Sequence, residues 1–299
     1  MQEIIYNWNW ERIDIYLNKT MDYSRNFFHH LISRQAITIN WKQIKKSYKL
    51  KNNDIINIQS LDRFLSDEIL SESPNFDIEI KLEKQDYLVI NKPKWVLSHP
   101  NSIWDVSKPS VVWFLYHRYK TLPSVWNFIR AWLIHRLDKE TDWLMIVAKT
   151  ENWLKHFKEL FNKKSISQTI EEKEKIPLKK FYRAKVNLTA IGKIFLDEIK
   201  DHLPFYIDEI VQTKNKSIKE FKNWITKILW ISFEENNQAE LDIEILTWRT
   251  HQIRYHLSSK WLPIIWDDLY WLWEKEEINL TAYHIEFLDI EGEYINIKI

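Results

Sequence analysis

A chain reverses direction most readily where glycine lets φ become positive, and this one has two glycines in 299 residues. Ordinary usage would supply roughly 20. Seventeen tryptophans are present, and several stand where turn chemistry is needed. Trp95 follows Lys94 in NKPKWVLSHP, and Trp143 follows Asp142 in HRLDKETDWLMIVAKT. Trp248 precedes Arg249 in LTWRTHQIR, and Trp266 precedes Asp267 in LPIIWDDLYW. A bulky side chain is penalised at positive φ. The sequence therefore reads best with most of these tryptophans as glycines in the native protein. Some bacterial lineages decode UGA as glycine, and translating such a gene under another code writes Trp. Abundant isoleucine, lysine and asparagine agree with an AT-rich gene. The opposite reading is a chain rich in tryptophan as such. Peptide masses of the native protein at positions 95, 143 and 248 separate the two.

The length accommodates one large domain or two smaller ones, and 45% hydrophobic residues supply a core. Cysteine is absent, which excludes disulfides and thiolate metal sites and fits a reducing cytoplasm. The opening MQEIIYNWNWERID has no basic segment followed by an apolar run, so no signal peptide is expected. No apolar stretch reaches 18 residues, so no membrane span is expected. A net charge of +1 decides nothing by itself, but its distribution is uneven. Residues 1–60 carry nine basic and five acidic side chains, whereas 61–89 carry three and eight. A basic module on an acidic connector fits a domain that faces RNA.

Within that module, ERIDIYLN (11–18) places Ile13, Tyr16 and Leu17 at helical spacing. Ser24 is a plausible N-cap for a second helix, RNFFHHLIS. ITIN, with Trp41 read as glycine and Lys42 after it, gives a strand–turn–strand signal, and KSYKLKNNDIINI closes with a second alternating run. Arg25, Arg34, Lys42, Lys45, Lys46 and Lys49 cluster around these elements. Over about residues 10–58 the order of elements resembles the S-four-like (alpha-L) RNA-binding domain. That resemblance implies a basic helix face and loop gripping RNA phosphates, contacts that give affinity without sequence choice.

Residues 61–76 are polar and acidic and read as a linker. From 77 to 299 strand patterns recur: FDIEIKLE, DYLVINKP, LMIVAK, FYRAKVNL, AELDIEILT and INIKI. Helical patterns fall around 106–118 and 151–162, and 163–176 is polar and expected to be exposed. Without regular βαβ spacing, an α+β domain on a mixed, largely antiparallel sheet is expected.

Three separated segments carry chemistry. They are His135-Arg136-Leu137-Asp138, Lys180-Phe181-Tyr182, and Arg249 to Arg254 in TWRTHQIRYHL. With glycine restored they read RAGLIHRLDKETDGLMIVAKT, KKFYRAKV and TGRTHQIRYHL…GLPIIGDDLYG. Together with NKPKGVLSHP these strings resemble the RluA-type RNA pseudouridine synthases over about residues 77–290, and the HP, RAGLIHRLDKET and LYHRY strings resemble members that act on large-subunit ribosomal RNA and also carry the N-terminal RNA-binding module. In the family's order, Trp95, Trp132, Trp143, Trp248, Trp261, Trp266 and Trp271 fall where it has glycine. Trp8, Trp10, Trp153, Trp224 and Trp273 lie outside the motifs and could include true tryptophans.

The reaction breaks the C1′–N1 bond of uridine and joins C1′ to C5, which calls for a carboxylate as nucleophile or base at the sugar but for no redox partner, metal or cofactor. The resemblance gives the carboxylate role to Asp138, with attack and proton removal both open. It implies that Arg136 fills the space left by the flipped base or binds phosphate, that Tyr182 stacks on the uracil and helps remove the C5 proton, and that Arg254 pairs with Asp138. Base extrusion is required because the target atom is otherwise inside the stack. Arg249 and His251 are further candidates for RNA or structural contacts. His251 and His256 are five residues apart, a poor metal spacing. The expectation is a cytoplasmic, monomeric two-domain enzyme acting on ribosomal RNA. The rivals are a non-catalytic RNA-binding or ribosome-assembly factor and a transfer-RNA pseudouridine synthase.

Overall fold

The computed structural model describes residues 2–7, 10–21, 25–59, 75–99, 108–119, 142–215, 218–271 and 277–299. One compact unit draws on residues 1–77 and 96–133, the other on 78–95 and 134–299. The expected linker falls almost entirely outside the described residues, as does Ser24.

In the first unit β1 (Gln2–Tyr6), β2 (Ile37–Ile39) and β3 (Asp54–Ile58) form an antiparallel sheet in the order β1-β3-β2. Helices α1 (Ile13–Thr20) and α2 (Arg25–Ser33) cover it. Ile13 and Leu17 share one face of α1, Phe28 and Leu31 lie on α2, and Ile37 and Ile56 come from the strands. All six are fully buried in one core, the main source of stability for such a small layer. Helix α3 (Val111–Tyr119) adds Trp113 to that core, 5.8 Å from the Phe76 ring.

The turn after β2 is a two-residue hairpin. Ile39 and Lys42 exchange both backbone hydrogen bonds, at 3.0 and 2.8 Å. The two residues between them are Asn40 at φ 49° and Trp41 at φ 65°. Positive φ at both positions is the type I′ turn, whose preferred sequence is Asn-Gly.

Asp14, in the first turn of α1, is fully buried. Its carboxylate accepts from Arg12 Nε at 3.0 Å and from Arg25 Nη2 at 2.7 Å, and His29 Nε2 lies 2.7 Å away. Burial alone would push this carboxyl up. The hydrogen bonds from Arg25, His29 and Arg12 outweigh it and hold the group well below the usual carboxylate range. A depressed folded-state pKa adds stability above the unfolded value and loses it as pH falls toward the folded one. Stability of the first unit is therefore expected to decline below about pH 4. Asp14→Asn is expected to lower stability by about 3 kcal/mol at pH 7 and to flatten the acid limb, both measurable by urea unfolding across pH.

The second unit is built on one sheet, with path β4-β5-β6-β11-β7-β10-β9-β8 and β12 on β11. Its strands are β4 (Glu79–Glu83), β5 (Tyr87–Lys92), β6 (Asp142–Ala148), β7 (Leu178–Asn187), β8 (Phe205–Asn215), β9 (Ile218–Glu234), β10 (Gln238–Ile245), β11 (Leu280–Leu288) and β12 (Tyr294–Lys298). Only β6 and β11 run parallel among these pairs. Helices α4 (Glu151–Ile166), α5 (Ile170–Lys175), α6 (Ala190–Ile199) and α7 (Gln252–Ser259) lie between strands in the chain. The mixed α+β architecture is the one expected from the strand patterns. Tyr87, Phe157 and Phe287 meet edge-to-face in the core while Trp153 stacks on Tyr87 at 4.4 Å. Among the described residues no helix is long and apolar enough to cross a membrane.

The polar stretch 163–176 departs from expectation. Lys164 and Lys173 are buried. Lys173 Nζ donates to the carbonyls of Lys164 and Ser167 at 2.8 and 2.6 Å, and Lys164 Nζ donates to Leu178 O at 2.6 Å. The end of α4 leaves carbonyls without helical partners; Lys173 satisfies two of them, Lys164 reaches instead to the first residue of β7, and the stems of both fill the interior. Burial lowers Lys164 to about 8 in spite of nearby Glu244.

Helix α7 ends in a Schellman turn. Leu262 N donates to Leu257 O at 2.9 Å, and Trp261 between them is left-handed at φ 59°. That position is the commonest site for glycine at a helix end. Helix α6 packs onto the same turn: Thr189 Oγ1 donates to Trp261 O at 2.8 Å. A Cβ at Gly192 would run into the Trp261 carbonyl oxygen, so glycine at this position permits the close approach.

Candidate active site

Strand β7 crosses the middle of the sheet, between β11 and β10. Lys180 and Tyr182 are two residues apart on it, so both side chains project to one face, and both are almost fully buried. Burial brings the Lys180 ammonium down to about 7. Tyr182 is paired in register with Ile243 of β10.

The register also locates the entry to β6. Asp142 lies beside Thr281 of β11, and Thr281 lies beside Arg183 of β7. Two strand spacings separate Asp142 from the Tyr182–Arg183 step, about 10 Å. Arg136 and Asp138 lie outside the described residues, as does Trp132.

Arg254 sits on α7 and not on a strand, and it is 5% exposed. The run QIRYHLSS suits a helix because Ile253 and Leu257, four apart, both face inward. Arg254 Nε donates to Asp267 Oδ2 at 2.9 Å and Nη2 donates to Oδ1 at 2.5 Å. This is the two-pronged arginine–carboxylate pairing. Asp268 Oδ1 is 3.7 Å from Nη2, and the guanidinium carbon lies 5.5 Å from the Tyr270 ring centre. Asp138, the carboxylate expected for Arg254, is outside the described residues, and Asp267 is the one seen.

Asp267 is itself fixed. Its Oδ1 accepts from Leu269 N and Tyr270 N, both at 3.1 Å. Its own N–H donates to Ile264 O at 3.1 Å, closing a turn whose third residue, Trp266, has φ 65°. Positive φ only at that place is the type II pattern, which asks for glycine. Trp95, Trp143, Trp248 and Trp271 are not left-handed.

The THQIR segment divides its work. Gln252 is buried and ties α7 to β9, donating to Ile225 O at 2.8 Å and Thr226 Oγ1 at 3.1 Å. It also accepts from Thr247 Oγ1 at 2.7 Å and Arg249 N at 3.3 Å. His251 caps α7 in a left-handed conformation, φ 58°, edge-on to Tyr270 at 5.8 Å. Fully buried His256 has Nδ1 2.8 Å from Thr226 Oγ1, and burial lowers it to about 4, so it is neutral at pH 7. Arg249, His251 and Arg254 are thus brought together around the start of α7.

In the first unit Arg34, Lys42, Lys45 and Lys46 are exposed around the turn after α2, the β2 hairpin and the loop leading to β3. Arg25 differs, because its guanidinium is engaged with Asp14. Sequence reasoning gave no role to Asp267, although the acidic pair after Trp266 stood in a quoted motif. It left Lys180 without a role as well, and the only signal was a lysine in an otherwise strand-like run.

Residues 86–259 match the RNA pseudouridylate synthase family. An uncharacterized RNA pseudouridine synthase of Mycoplasma genitalium is 29% identical over 87% of this chain and 77% of its own length. Ribosomal large subunit pseudouridine synthase D of Yersinia pestis is 29% identical over 83% of this chain and 69% of its own length. Ribosomal large subunit pseudouridine synthase C of Vibrio parahaemolyticus is 27% identical over 87% and 76%. In three dimensions the fold is similar to that of human RNA pseudouridylate synthase domain containing 1, with a TM-score of 0.52 over 76% of this chain and 86% of that one, at 15% identity. The family match spans more than half of the sequence, and this chain belongs to the RluA-type RNA pseudouridine synthases.

Proposed function

We propose that this enzyme converts specific uridines of large-subunit ribosomal RNA to pseudouridine, with Asp138 as the carboxylate that acts at the sugar. The observation that carries the reading is the strand register. It sets the start of β6, four residues after Asp138, about two strands from Tyr182. In the reaction C1′–N1 breaks and C1′–C5 forms, C5 gives up a proton and N1 takes one up, so atoms and electrons balance. Tyr182 stacks on the flipped uracil and assists at C5. Arg254 keeps Asp138 ionised and oriented. Arg136, Arg249 and His251 contact the RNA around the vacated position.

The likeness to the ribosomal large subunit synthases D and C supports the substrate class. The basic first unit acts as the S-four-like grip on phosphates through Arg34, Lys42, Lys45 and Lys46, with Arg25 held partly by Asp14. We place the enzyme in the cytoplasm, as a monomer, with residues 1–60 as the RNA-binding domain, 61–76 as linker and 77–299 as catalytic domain.

Glycine stands at many of the positions written as tryptophan, by decoding of UGA. Three turn types support this independently: the type I′ hairpin at Trp41, the Schellman turn at Trp261 and the type II turn at Trp266. Trp10, at φ 70°, is the fourth left-handed tryptophan. Trp10, Trp41 and Trp95 expose more than half of their surface and Trp261 about half, unusual for so large an apolar side chain. Trp113, Trp153 and Trp224 are buried and are the better candidates for true tryptophan.

Pseudouridine mapping on ribosomal and transfer RNA treated with the glycine-restored protein tests the reading. New pseudouridine in large-subunit RNA is expected. Modification confined to transfer RNA would move the substrate, and none in either would favour a binding factor.

A further inference from the structure

Four lysines of the second unit are buried among the described residues: Lys92, Lys164, Lys173 and Lys180. The first three serve nearby backbone. Lys92 Nζ donates to Pro93 O at 2.8 Å, Lys164 Nζ to Leu178 O, and Lys173 Nζ to the carbonyls of Lys164 and Ser167. Lys180 is placed differently, on β7 at the middle of the sheet. Ile285 of β11 lies directly beside it, and Leu178 and Tyr182 share its face of the strand. Ile285 and Leu178 are fully buried, so Tyr182 is the polar one of these three neighbours. Leucine or methionine would fill such a place without the cost of burying an ammonium. A charge kept there points to a use.

The reaction supplies that use. When C1′–N1 breaks, the electron pair leaves with the uracil, and the ring carries negative charge over N1 and its two carbonyl oxygens. The pair returns to the sugar through C5, C5 then gives up its proton, and N1 takes one up. The charge develops on the base whether a carboxylate attacks C1′ or removes a sugar proton. Residues two apart on one strand face stand about 7 Å apart, which leaves room for a ring stacked on Tyr182 with the flexible stem of Lys180 reaching its edge. We propose that Lys180 is a catalytic residue, whose ammonium donates to a carbonyl oxygen of the flipped uracil and stabilises the negative charge on the ring between bond breaking and rejoining. This rests on the reading above, in which Tyr182 stacks on that ring. A fixed cation in a site shut off from water is worth far more than the same cation in solution.

The test uses the full-length protein under single turnover, with large-subunit ribosomal RNA transcribed from uridine or from 5-fluorouridine. Lys180→Met keeps the stem and removes the charge. Loss of one donor to a developing anion lowers rates on the order of 100- to 1,000-fold, and a loss of that size is expected with uridine. Stability to urea should equal or exceed that of the wild type, because an apolar group replaces a buried charge. Fluorine at C5 withdraws electrons and makes the uracil a better leaving group. The deficit of Lys180→Met should therefore narrow on the order of 10-fold with the fluorinated RNA, read as the C5-linked nucleoside by chromatography. Lys180→Arg keeps the cation and should recover most of the lost rate.

A wild-type rate in Lys180→Met would overturn the proposal. So would an equal deficit on both RNAs, or a loss of activity that tracks the unfolded fraction, since either marks a structural lysine. Should Lys180→Met not fold, Lys180→Gln takes its place as the neutral variant, with the same outcomes for and against. A wild-type protein that forms no pseudouridine would instead sink the underlying reading. An active wild type beside a normal Lys180→Met sinks only the role of Lys180.

Discussion

Asp138→Asn is expected to reduce pseudouridine formation on the order of 10⁴-fold while leaving RNA binding intact or slightly tighter. The amide fills the same volume, but it can neither attack C1′ nor accept a sugar proton at neutral pH. Removing a negative charge from a surface that meets phosphates lowers repulsion, so affinity does not fall. Single-turnover assays with filter binding on the same preparation read both quantities. Appreciable pseudouridine from Asp138→Asn would assign the carboxylate role elsewhere, and joint loss of binding and activity would point to misfolding.

Writing glycine at 10, 41, 261 and 266 is the second large effect. A left-handed conformation costs an L-residue roughly 1–2 kcal/mol, and glycine returns about 0.5–1 kcal/mol of that through its freer unfolded chain. A net gain near 1 kcal/mol per site, about 4 kcal/mol together, is comparable to the whole stability of many domains. Urea unfolding of the chain as written and of the four-glycine variant should show it as a higher midpoint at similar slope. The gain should be unevenly placed. Trp10 and Trp41 lie in the first unit and Trp261 and Trp266 in the second, so each pair alone should stabilise its own transition. An unchanged midpoint would mean that these turns tolerate tryptophan.

Those four sites also mark where sequence reasoning reached and where it stopped. At Trp41 and Trp266 the neighbours Asn40 and Asp267 belong to glycine turns, so the odd residue was visible against its context. Trp10 lies in no motif, and its left-handed backbone appears only in the fold. The helices at Ile13–Thr20 and Glu151–Ile166 and the strands at Tyr87–Lys92 and Leu178–Asn187 were legible, because period and burial coincide along each. The β8–β9 hairpin was not, since Lys and Glu interrupt its alternation and its far part, residues 218–225, pairs with β8 alone. Arg254 shows the limit most plainly. Its family role came from the motif, but its helix, its burial and its grip on Asp267 depend on a carboxylate supplied by a later turn. Nothing in local spacing distinguishes that arginine from one on a surface.

The parallel pairing of β6 with β11, the only one among the described strands, has a consequence for biosynthesis. Among the described strands β11 is the only neighbour that β6 and β7 share, and it is made long after both. Pairings between segments so far apart in sequence form slowly. The first unit uses residues up to 133 and has all its chain before β6 is translated. A ribosome partway through this message therefore carries a complete first unit attached to a sheet with a gap at its centre. Leu280–Leu288 closes that gap, and β7 is flanked on both sides only once it has been made.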